Sequence, residues 1–279
     1  MRDKKTVVIT GASDGIGAAA ARRLHAGGHE IVLVGRSPDK TRAIASELKS
    51  DHFVADFSRL DEVRQLAASL SAKHPRIDVL ANNAGGVFGA RADTVDGFEQ
   101  TFQVNHLAPF LLTNLLRDTL IASSATVIQT ASVAARLFGK IDMDDLDSRR
   151  QYAPMTAYGT AKLGNILFTR ELHTRFNPEG VSAAAFHPGV IASGFAADTS
   201  NRAMRFLYNN PFARRFLGTA ESGADQLVWL AETAPGQAWV SGLYYEKHSI
   251  ATRVNPQSTR DDLAHELWER SVAMTGLAS

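Results

Sequence analysis

Short runs of Val and Ile alternate along this chain with longer stretches rich in alanine. The apolar runs have the length of strands buried on both faces, and the stretches between them have the length of helices. The pattern predicts seven strands, at Thr6–Thr10, Glu30–Val34, His52–Ala55, Val79–Ala81, Thr126–Thr130, Val181–Phe186 and Leu243–Tyr245. Strands that alternate with helices in this way build a parallel sheet.

Helices are predicted between and after these strands. They lie at Ile16–Ala26, Lys40–Lys49, Asp61–Ala72, Phe98–Leu120, Ala157–Phe176, Glu221–Glu232 and Arg260–Met274. The expected fold is therefore α/β, a doubly wound seven-stranded parallel sheet with helices on both faces, which is a Rossmann fold. No repeat, low-complexity tract or linker marks a boundary, so residues 1–279 are expected to form one domain. Ligands of such folds bind beyond the carboxyl ends of the strands.

The charge balance offers little attraction for nucleic acid or for an anionic membrane. The chain of 279 residues carries 30 Lys and Arg against 29 Asp and Glu, a net charge of +1, so it has no long-range field of one sign. It contains no cysteine, which excludes disulfides, thiolate metal sites and a cysteine nucleophile. The composition predicts a soluble, cytoplasmic protein with no nucleic-acid partner.

Neither an integral membrane segment nor a metal site is expected. The most apolar stretch, Leu107–Ala122, is broken by polar and charged residues and cannot span a bilayer. Two glycines separate His25 from His29, so these histidines are not expected to share a helix face as metal ligands. The acidic run Asp142–Asp147 lacks the glycine and the terminal glutamate of a calcium loop, and it is expected to be solvated.

A glycine-rich turn follows the first predicted strand. The segment Thr10–Gly17 places three glycines where the backbone must turn sharply and approach a ligand. The helix that follows offers free amides and the positive end of its dipole to a phosphate. The spacing is G-x-x-x-G-x-G, and a purely structural turn is the alternative. We expect a nucleotide to bind through Gly11, Ser13, Asp14, Gly15, Ile16 and Gly17.

The end of the second strand bears on which nucleotide is bound. A carboxylate is expected there when the ligand is NAD, but the strand ends in Gly35 and Arg36. The guanidinium of Arg36 suits a 2′-phosphate, so NADP(H) is expected over NAD(H). Asp14 argues mildly against this, because it brings negative charge close to the phosphates. A solvated surface role for Arg36 is the alternative.

Polar and small residues follow the third and fourth strands. Asp56 and Phe57 are placed to hold an adenine ring by a hydrogen bond and by packing, although Asp56 could instead cap the next helix. Asn83, Ala84 and Gly85 would let the backbone approach the adenine ribose, with an ordinary Asn/Gly turn as the alternative.

Three residues suggest proton-transfer chemistry. Tyr158 and Lys162 stand four residues apart on a predicted helix, so their side chains share one face. A phenol with a pKa of about 10 is a poor acid at neutral pH unless a positive charge stabilises its anion, and Lys162 can supply that charge. Ser132 follows the fifth strand and can hydrogen-bond a substrate oxygen. The Tyr/Lys spacing alone is a weak signal, and its place in the fold carries the prediction.

Together these motifs resemble the short-chain dehydrogenases/reductases, specifically the single-domain branch similar to retinol dehydrogenases and protochlorophyllide reductases. The resemblance covers nearly the whole chain. It rests on Thr10–Gly17, Asp56 and Phe57, Asn82–Gly85, Phe102–His106, Ser132, Tyr158–Lys162 and His187–Gly189. One departure is Pro109, in the helix that contains Asn105, where relatives tend to have another residue.

The resemblance implies a role for each matching residue. Tyr158 would be the general acid/base, Ser132 the ligand of the substrate oxygen, and Lys162 the residue that binds the nicotinamide ribose and stabilises the tyrosine anion. Asn105 would hold a water that relays protons to Lys162, with a helix-interior Asn bonded to backbone as the alternative. The loop after the sixth strand would hold the nicotinamide carboxamide through Pro188, Gly189, Ile191 and Ser193.

An amphipathic segment at about residues 190–218 interleaves aromatic side chains with arginines. We expect it to form a lid that excludes water from a hydrophobic ketone or aldehyde. Packing against the body of the domain and contact with a membrane surface are the alternatives.

The sequence as a whole predicts an NADP(H)-dependent oxidoreductase in one dinucleotide-binding and catalytic domain. It would reduce a carbonyl substrate to an alcohol by hydride transfer, with Tyr158 as general acid. A nucleotide-sugar epimerase or dehydratase with the same Tyr/Lys pair is one alternative, and a non-catalytic NADP-binding regulatory protein is another. The expected partner is a small carbonyl or alcohol compound. Members of the resembled family are often dimers or tetramers, although nothing in the sequence fixes the number of subunits.

Overall fold

One sheet forms the centre of the part of the chain that the computed structural model describes, residues 4–189 and 218–277. Its strands are β1 (Thr6–Thr10), β2 (Glu30–Gly35), β3 (Asp51–Val54), β4 (Val79–Asn82), β5 (Thr126–Thr130), β6 (Ser182–Phe186), β7 (Leu243–Glu246) and β8 (Ser249–Ile250). Their order across the sheet is β3-β2-β1-β4-β5-β6-β7-β8. All neighbours pair in parallel except β7 and β8.

The predicted α/β fold with a doubly wound sheet is confirmed. Each of the predicted strands agrees with the structure to within one residue at either end, because short apolar runs mark strands that are buried in the sheet. The eighth strand was not predicted. It is short and exposed, and it follows a turn at Lys247 and His248 that adopts positive φ angles of 50° and 58° without a glycine.

Helices lie on both faces of the sheet. They are α1 (Gly15–Ala26), α2 (Pro38–Leu48), α3 (Leu60–Lys73), α4 (Gln100–Phe102), α5 (Ala108–Leu115), α6 (Arg117–Ala122), α7 (Ala134–Leu137), α8 (Pro154–Phe176), α9 (Ala220–Glu232) and α10 (Asp261–Thr275). One apolar cluster joins the sheet to α3, α5, α8 and α10, and another joins it to α1, α2 and α9. Among the described helices, none combines the length and the apolar character needed to cross a membrane.

The prediction of one continuous helix over Phe98–Leu120 is wrong. In the structure α4, a π-helical turn at Gln103–Leu107, α5 and α6 occupy this stretch. Pro109 has no N–H to donate to the carbonyl four residues earlier, that of Asn105, so the α-helical hydrogen-bond pattern cannot run through this point. The π turn buries the side chains of Asn105 and His106 completely.

The acidic run Asp142–Asp147 is less solvated than predicted. Leu146 and Asp147 are buried, and the Asp147 carboxylate forms ion pairs with Arg149 and Arg91. A carboxylate that finds cationic partners can be removed from water at lower cost. The end of the run therefore belongs to the packed body of the protein, while Asp144 is exposed as predicted and Asp142 and Asp145 are half-buried.

The order of the strands creates a crevice. β1 lies between β2 and β4, so the chain leaves β1 towards one side of the sheet and leaves β4 towards the other. Loops that diverge in this way open a ligand site at the carboxyl ends of the strands.

Candidate active site

A cavity of about 820 Å³ opens at this crevice. Most of the predicted site residues line it, namely Gly11, Ser13, Asp14, Gly15, Ile16, Arg36, Asp56, Phe57, Asn83, Ala84, Gly85, Ser132, Tyr158, Lys162, Pro188 and Gly189. Gly17 and Asn105 are buried and do not line the cavity. Ile191 and Ser193 lie outside the described residues, as does the predicted lid at 190–218 apart from its last residue.

The glycine loop after β1 packs tightly against the loop after β4. Gly11 has a φ of +65°, and a Cβ there would lie 2.8 Å from the Cα of Ala84. A Cβ on Gly17 would lie 2.3 Å from the carbonyl oxygen of Gly11. Only glycine fits these positions, and the backbone that results begins α1 at the edge of the cavity. Such an N-terminus with its exposed amides fits the pyrophosphate of a dinucleotide.

Two threonines that were not predicted as site residues hold this cradle together. The hydroxyl of Thr10 accepts the N–H groups of Asn83 and Ala84, both at 3.0 Å. The hydroxyl of Thr130 donates to the side-chain oxygen of Asn83 at 3.3 Å. The ends of β1, β4 and β5 are thereby tied to one another. A hydroxyl residue at the last position of both β1 and β5 was the available signal.

The end of β2 carries a second cation that was missed. Lys40, in the first turn of α2, lines the cavity together with Arg36. Its ammonium forms an ion pair with Asp14 at 2.9 Å. The hydrogen bond from Lys40 and that from the N–H of Gly15 hold the pKa of the Asp14 carboxyl below its usual range. The ammonium of Lys40 therefore offsets the negative charge of Asp14, so that Asp14 repels a nearby phosphate less strongly.

Asp56 does not cap the next helix. Its carboxylate accepts the N–H of Ser58 at 2.9 Å, while the first N–H of α3, that of Leu60, is bound by Asp96. Asp56 and Phe57 both line the cavity. The capping alternative is wrong, and the contact with an adenine ring stays a prediction.

Tyr158 and Lys162 lie side by side on α8. Both side chains are buried, with 6% and 2% of the residue surface exposed. The Nζ of Lys162 lies 5.7 Å from the centroid of the Tyr158 ring and donates to the carbonyl oxygen of Thr130 at 2.9 Å. The lysine cation is thus held within electrostatic reach of the phenol.

Ser132 is brought to the same place by the approach of α7 to α8. A Cβ on Gly159 would lie 2.6 Å from the carbonyl oxygen of Ala134, so the glycine permits the close contact. The hydroxyl oxygen of Ser132 accepts the N–H of Ala134 at 3.1 Å, which leaves its own hydrogen available for a substrate oxygen. His187 supports this turn by accepting the N–H of Val133 at 3.3 Å.

Both polar atoms of the Asn105 side chain form hydrogen bonds with the backbone. Its Nδ2 donates to the carbonyl oxygens of Gly86 and Thr101 at 2.9 and 2.8 Å, and its Oδ1 accepts the N–H of Gly86 at 3.1 Å. These bonds fasten the loop after β4 to the π turn. The structure favours the backbone-bonded alternative for this side chain, and the water relay stays a prediction.

The cavity beyond Ser132 and Tyr158 is apolar. Its apolar lining includes Val87, Phe88, Leu137, Phe138 and Met155, of which Val87 and Met155 pack against Tyr158. Leu137 and Phe138 are 54% and 44% exposed. Exposed large apolar side chains at the mouth of a cavity are typical of a surface that contacts an apolar ligand.

Burial lowers the pKa of Lys162 from its ordinary 10.5 to about 7. Between these two values the unfolded chain keeps a proton on this amine that the folded, unliganded protein has released. The free energy of unfolding should therefore rise with pH over this range, with a slope from Lys162 of at most about 1.4 kcal/mol per pH unit. Urea unfolding of wild type and Lys162→Met at a series of pH values measures the difference. Parallel stability curves for the two proteins would contradict the prediction.

Comparisons with known proteins agree over nearly the whole chain. Residues 5–203 match the family model described as short chain dehydrogenase. A Streptomyces sp. (strain C5) protein provisionally named a daunorubicin C-13 ketoreductase is 42% identical, over 98% of this chain and 93% of its own. Human retinol dehydrogenase 13 is 36% identical, over 98% of this chain and 85% of its own.

Solved structures show the same architecture. The crystal structure of an uncharacterised protein from Mycobacterium paratuberculosis has a TM-score of 0.77 and 31% identity, and the match covers 98% of this chain and 93% of that one. The active-site complex of Pseudomonas aeruginosa RhlG with NADP has a TM-score of 0.67 and 25% identity, with 86% and 93% covered.

Proposed function

This chain belongs to the short-chain dehydrogenase family of oxidoreductases, and within that family we propose that it reduces a hydrophobic ketone or aldehyde to the alcohol with NADPH. The observation that carries the proposal is the meeting of three groups in one cavity. Tyr158 and the cation of Lys162 lie together on α8, and the hydroxyl hydrogen of Ser132 remains available beside them.

These residues can carry out the proton side of a carbonyl reduction. Ser132 would donate a hydrogen bond to the carbonyl oxygen and orient it towards Tyr158, which would protonate that oxygen. In its protonated form, which a pKa of about 7 leaves partly populated at neutral pH, Lys162 stabilises the phenolate that remains. A bound nicotinamide would supply the hydride. Tyr158 packs against Val87, Ala134 and Met155, which leaves little of its own surface exposed to water.

The cofactor proposed is NADP(H). The glycine cradle fits a pyrophosphate, and the end of β2 offers Arg36 and Lys40 where NAD-binding proteins place a carboxylate. Because Lys40 offsets the charge of Asp14, the guanidinium of Arg36 is left as a net positive charge that favours a 2′-phosphate. The similar RhlG structure is a complex with NADP, which supports the choice. Lys162 would bind the nicotinamide ribose, and Pro188 and Gly189 would approach the nicotinamide.

Replacing Arg36 should raise the KM for NADPH much more than the KM for NADH. Arg36→Ala is expected to raise the KM for NADPH by about 10- to 100-fold, because a charge-assisted hydrogen bond contributes about 1.5–3 kcal/mol. The KM for NADH should stay within about threefold, since NADH has no 2′-phosphate to lose. Steady-state kinetics with both cofactors measures the effect.

Arg42→Ala is the matched control for this prediction. Arg42 is an exposed arginine of α2 that pairs with Asp39 and does not line the cavity, so its loss should leave both KM values unchanged. An equal rise for NADH and NADPH in Arg36→Ala would reject the 2′-phosphate contact.

The substrate class is tested by a panel of ketones and aldehydes. The apolar lining at Val87, Phe88, Leu137, Phe138 and Met155 supports a hydrophobic substrate, and the name of the Streptomyces relative, a daunorubicin C-13 ketoreductase, supports a ketone. We expect NADPH consumption with aromatic and polyketide-like ketones to exceed that with short aliphatic ketones. A panel without any substrate-dependent NADPH consumption would reject the proposed reaction.

A further inference from the structure

A stripe of polar side chains runs down α8 from the cavity into the interior. Tyr158, Lys162, Asn165 and Thr169 are spaced four, three and four residues apart, which places them on one face of the helix. The first two belong to the proposed proton-transfer site. Asn165 has no role in that site, yet it is only 1% exposed and its amide is hydrogen-bonded on both sides.

The donor side of the Asn165 amide faces two carbonyls. Its Nδ2 donates to the carbonyl oxygen of Asn105 at 3.0 Å and approaches that of Thr130 at 3.5 Å. Pro109 cannot supply the helical N–H that the Asn105 carbonyl would receive in a regular helix. The Thr130 carbonyl is the acceptor of the Lys162 ammonium. Asn165 therefore completes the π turn and shares an acceptor with Lys162.

The orientation of the amide in turn determines the tautomer of His106. Because Nδ2 must face the carbonyls, the Oδ1 of Asn165 faces the Nδ1 of His106 at 3.3 Å. An amide oxygen only accepts, so Nδ1 carries the proton and Nε2 accepts from the hydroxyl of Ser271 in α10, at 3.0 Å. The hydroxyl of Ser271 also donates to the carbonyl oxygen of Leu267 at 2.7 Å, so its hydrogen is shared between two acceptors.

We propose that Asn165 is a positioning residue for Lys162, whose amide holds the Thr130 and Asn105 carbonyls in place so that the ammonium is set for the nicotinamide ribose and for Tyr158. The inference rests on the proposed function for what Lys162 does. His106 binds the oxygen side of the amide and is itself bound by Ser271, and burial lowers the pKa of His106 to about 4, which keeps the ring neutral. The contacts link the candidate site to α10.

A double-mutant cycle tests the inference. Asn165→Leu removes both polar ends of the amide, and Asn165→Asp keeps its shape but replaces the donor by an acceptor, so it serves where the leucine variant fails to fold. Each is combined with Lys162→Met. The readouts are the Kd for NADPH by fluorescence titration and the kcat/KM for a ketone.

Either change at Asn165 should raise the Kd at least about fivefold and lower kcat/KM about tenfold in the wild-type background. Both effects should shrink to within about twofold in Lys162→Met, because a residue that acts through Lys162 has nothing left to position.

Thr169→Val is the matched control. Thr169 is buried on the same face of α8, and its hydroxyl bonds the backbone carbonyl of Asn165 at 2.9 Å. Its loss should lower the Tm without changing the Kd for NADPH or kcat/KM.

The inference is overturned when the effects at Asn165 and Lys162 multiply as independent effects do, or when Thr169→Val causes the same losses. A wild-type protein that binds NADPH but reduces no carbonyl would reject the proposed function alone, since the Kd cycle still decides the role of Asn165. If NADPH does not bind, the same cycle is measured on the urea unfolding of the unliganded protein. There the shared Thr130 carbonyl again predicts non-additive losses, and additive losses overturn the inference.

Discussion

Tyr158→Phe is expected to lower kcat for carbonyl reduction by about 10³-fold while the Kd for NADPH stays within about threefold. The substitution removes one hydroxyl and keeps the ring that packs against Val87 and Ala134. General acid catalysis contributes about 10²- to 10⁴-fold to such a step, and Ser132 cannot replace it because a serine hydroxyl is a much weaker acid than a phenol. Single-turnover kinetics and a fluorescence titration measure the two quantities.

Tyr152→Phe is the control for this experiment. Tyr152 is a half-buried tyrosine outside the cavity, and its hydroxyl donates to the carbonyl of Gly89 at 3.3 Å. Its loss should leave turnover within about twofold of wild type. Turnover of Tyr158→Phe within a few-fold of wild type would remove Tyr158 from the mechanism.

Gly85→Ala should lower kcat/KM by about 10²-fold or more. A Cβ on Gly85 would lie 2.3 Å from the Oδ1 of Asn105 and 3.1 Å from the Nζ of Lys162. The first distance is too short for any real contact, so the loop after β4 or the side chain of Asn105 must move, and Lys162 lies next to both. A displacement of about 1 Å at a catalytic group costs on the order of 10²-fold in rate. Overpacking also lowers stability by about 1–3 kcal/mol.

Gly86→Ala is the neighbouring comparison. Within the described part of the chain, a Cβ on Gly86 would meet only the ring of Phe88, at 3.8 and 3.9 Å, which is ordinary van der Waals contact. Activity within about threefold of wild type and an unchanged Tm are expected. If Gly85→Ala behaves in the same way, the close packing of Gly85, Asn105 and Lys162 does not control the site. Steady-state kinetics and thermal unfolding of Gly85→Ala and Gly86→Ala measure these effects.

The features that could be predicted are those that depend on residues close together in the sequence. The strands were found because each is a short apolar run, and the phosphate cradle because three glycines follow the first run directly. Tyr158 and Lys162 share a helix face through their spacing alone. The interruption of the predicted helix at Pro109 could have been predicted, since proline always removes a backbone donor. The π turn that forms there depends on the residues that pack around it.

The doubly wound sheet, the glycine cradle and the Tyr158–Lys162 pair could be predicted from the sequence, because they depend on residues that are neighbours along the chain. Three contacts became visible only in the folded protein: Lys40 pairs with Asp14, the side chain of Asn105 bonds the backbone, and Asn165 shares a carbonyl with Lys162. Such contacts join residues far apart in sequence, and whether a buried amide turns towards one carbonyl or another depends on every donor and acceptor that folding brings around it.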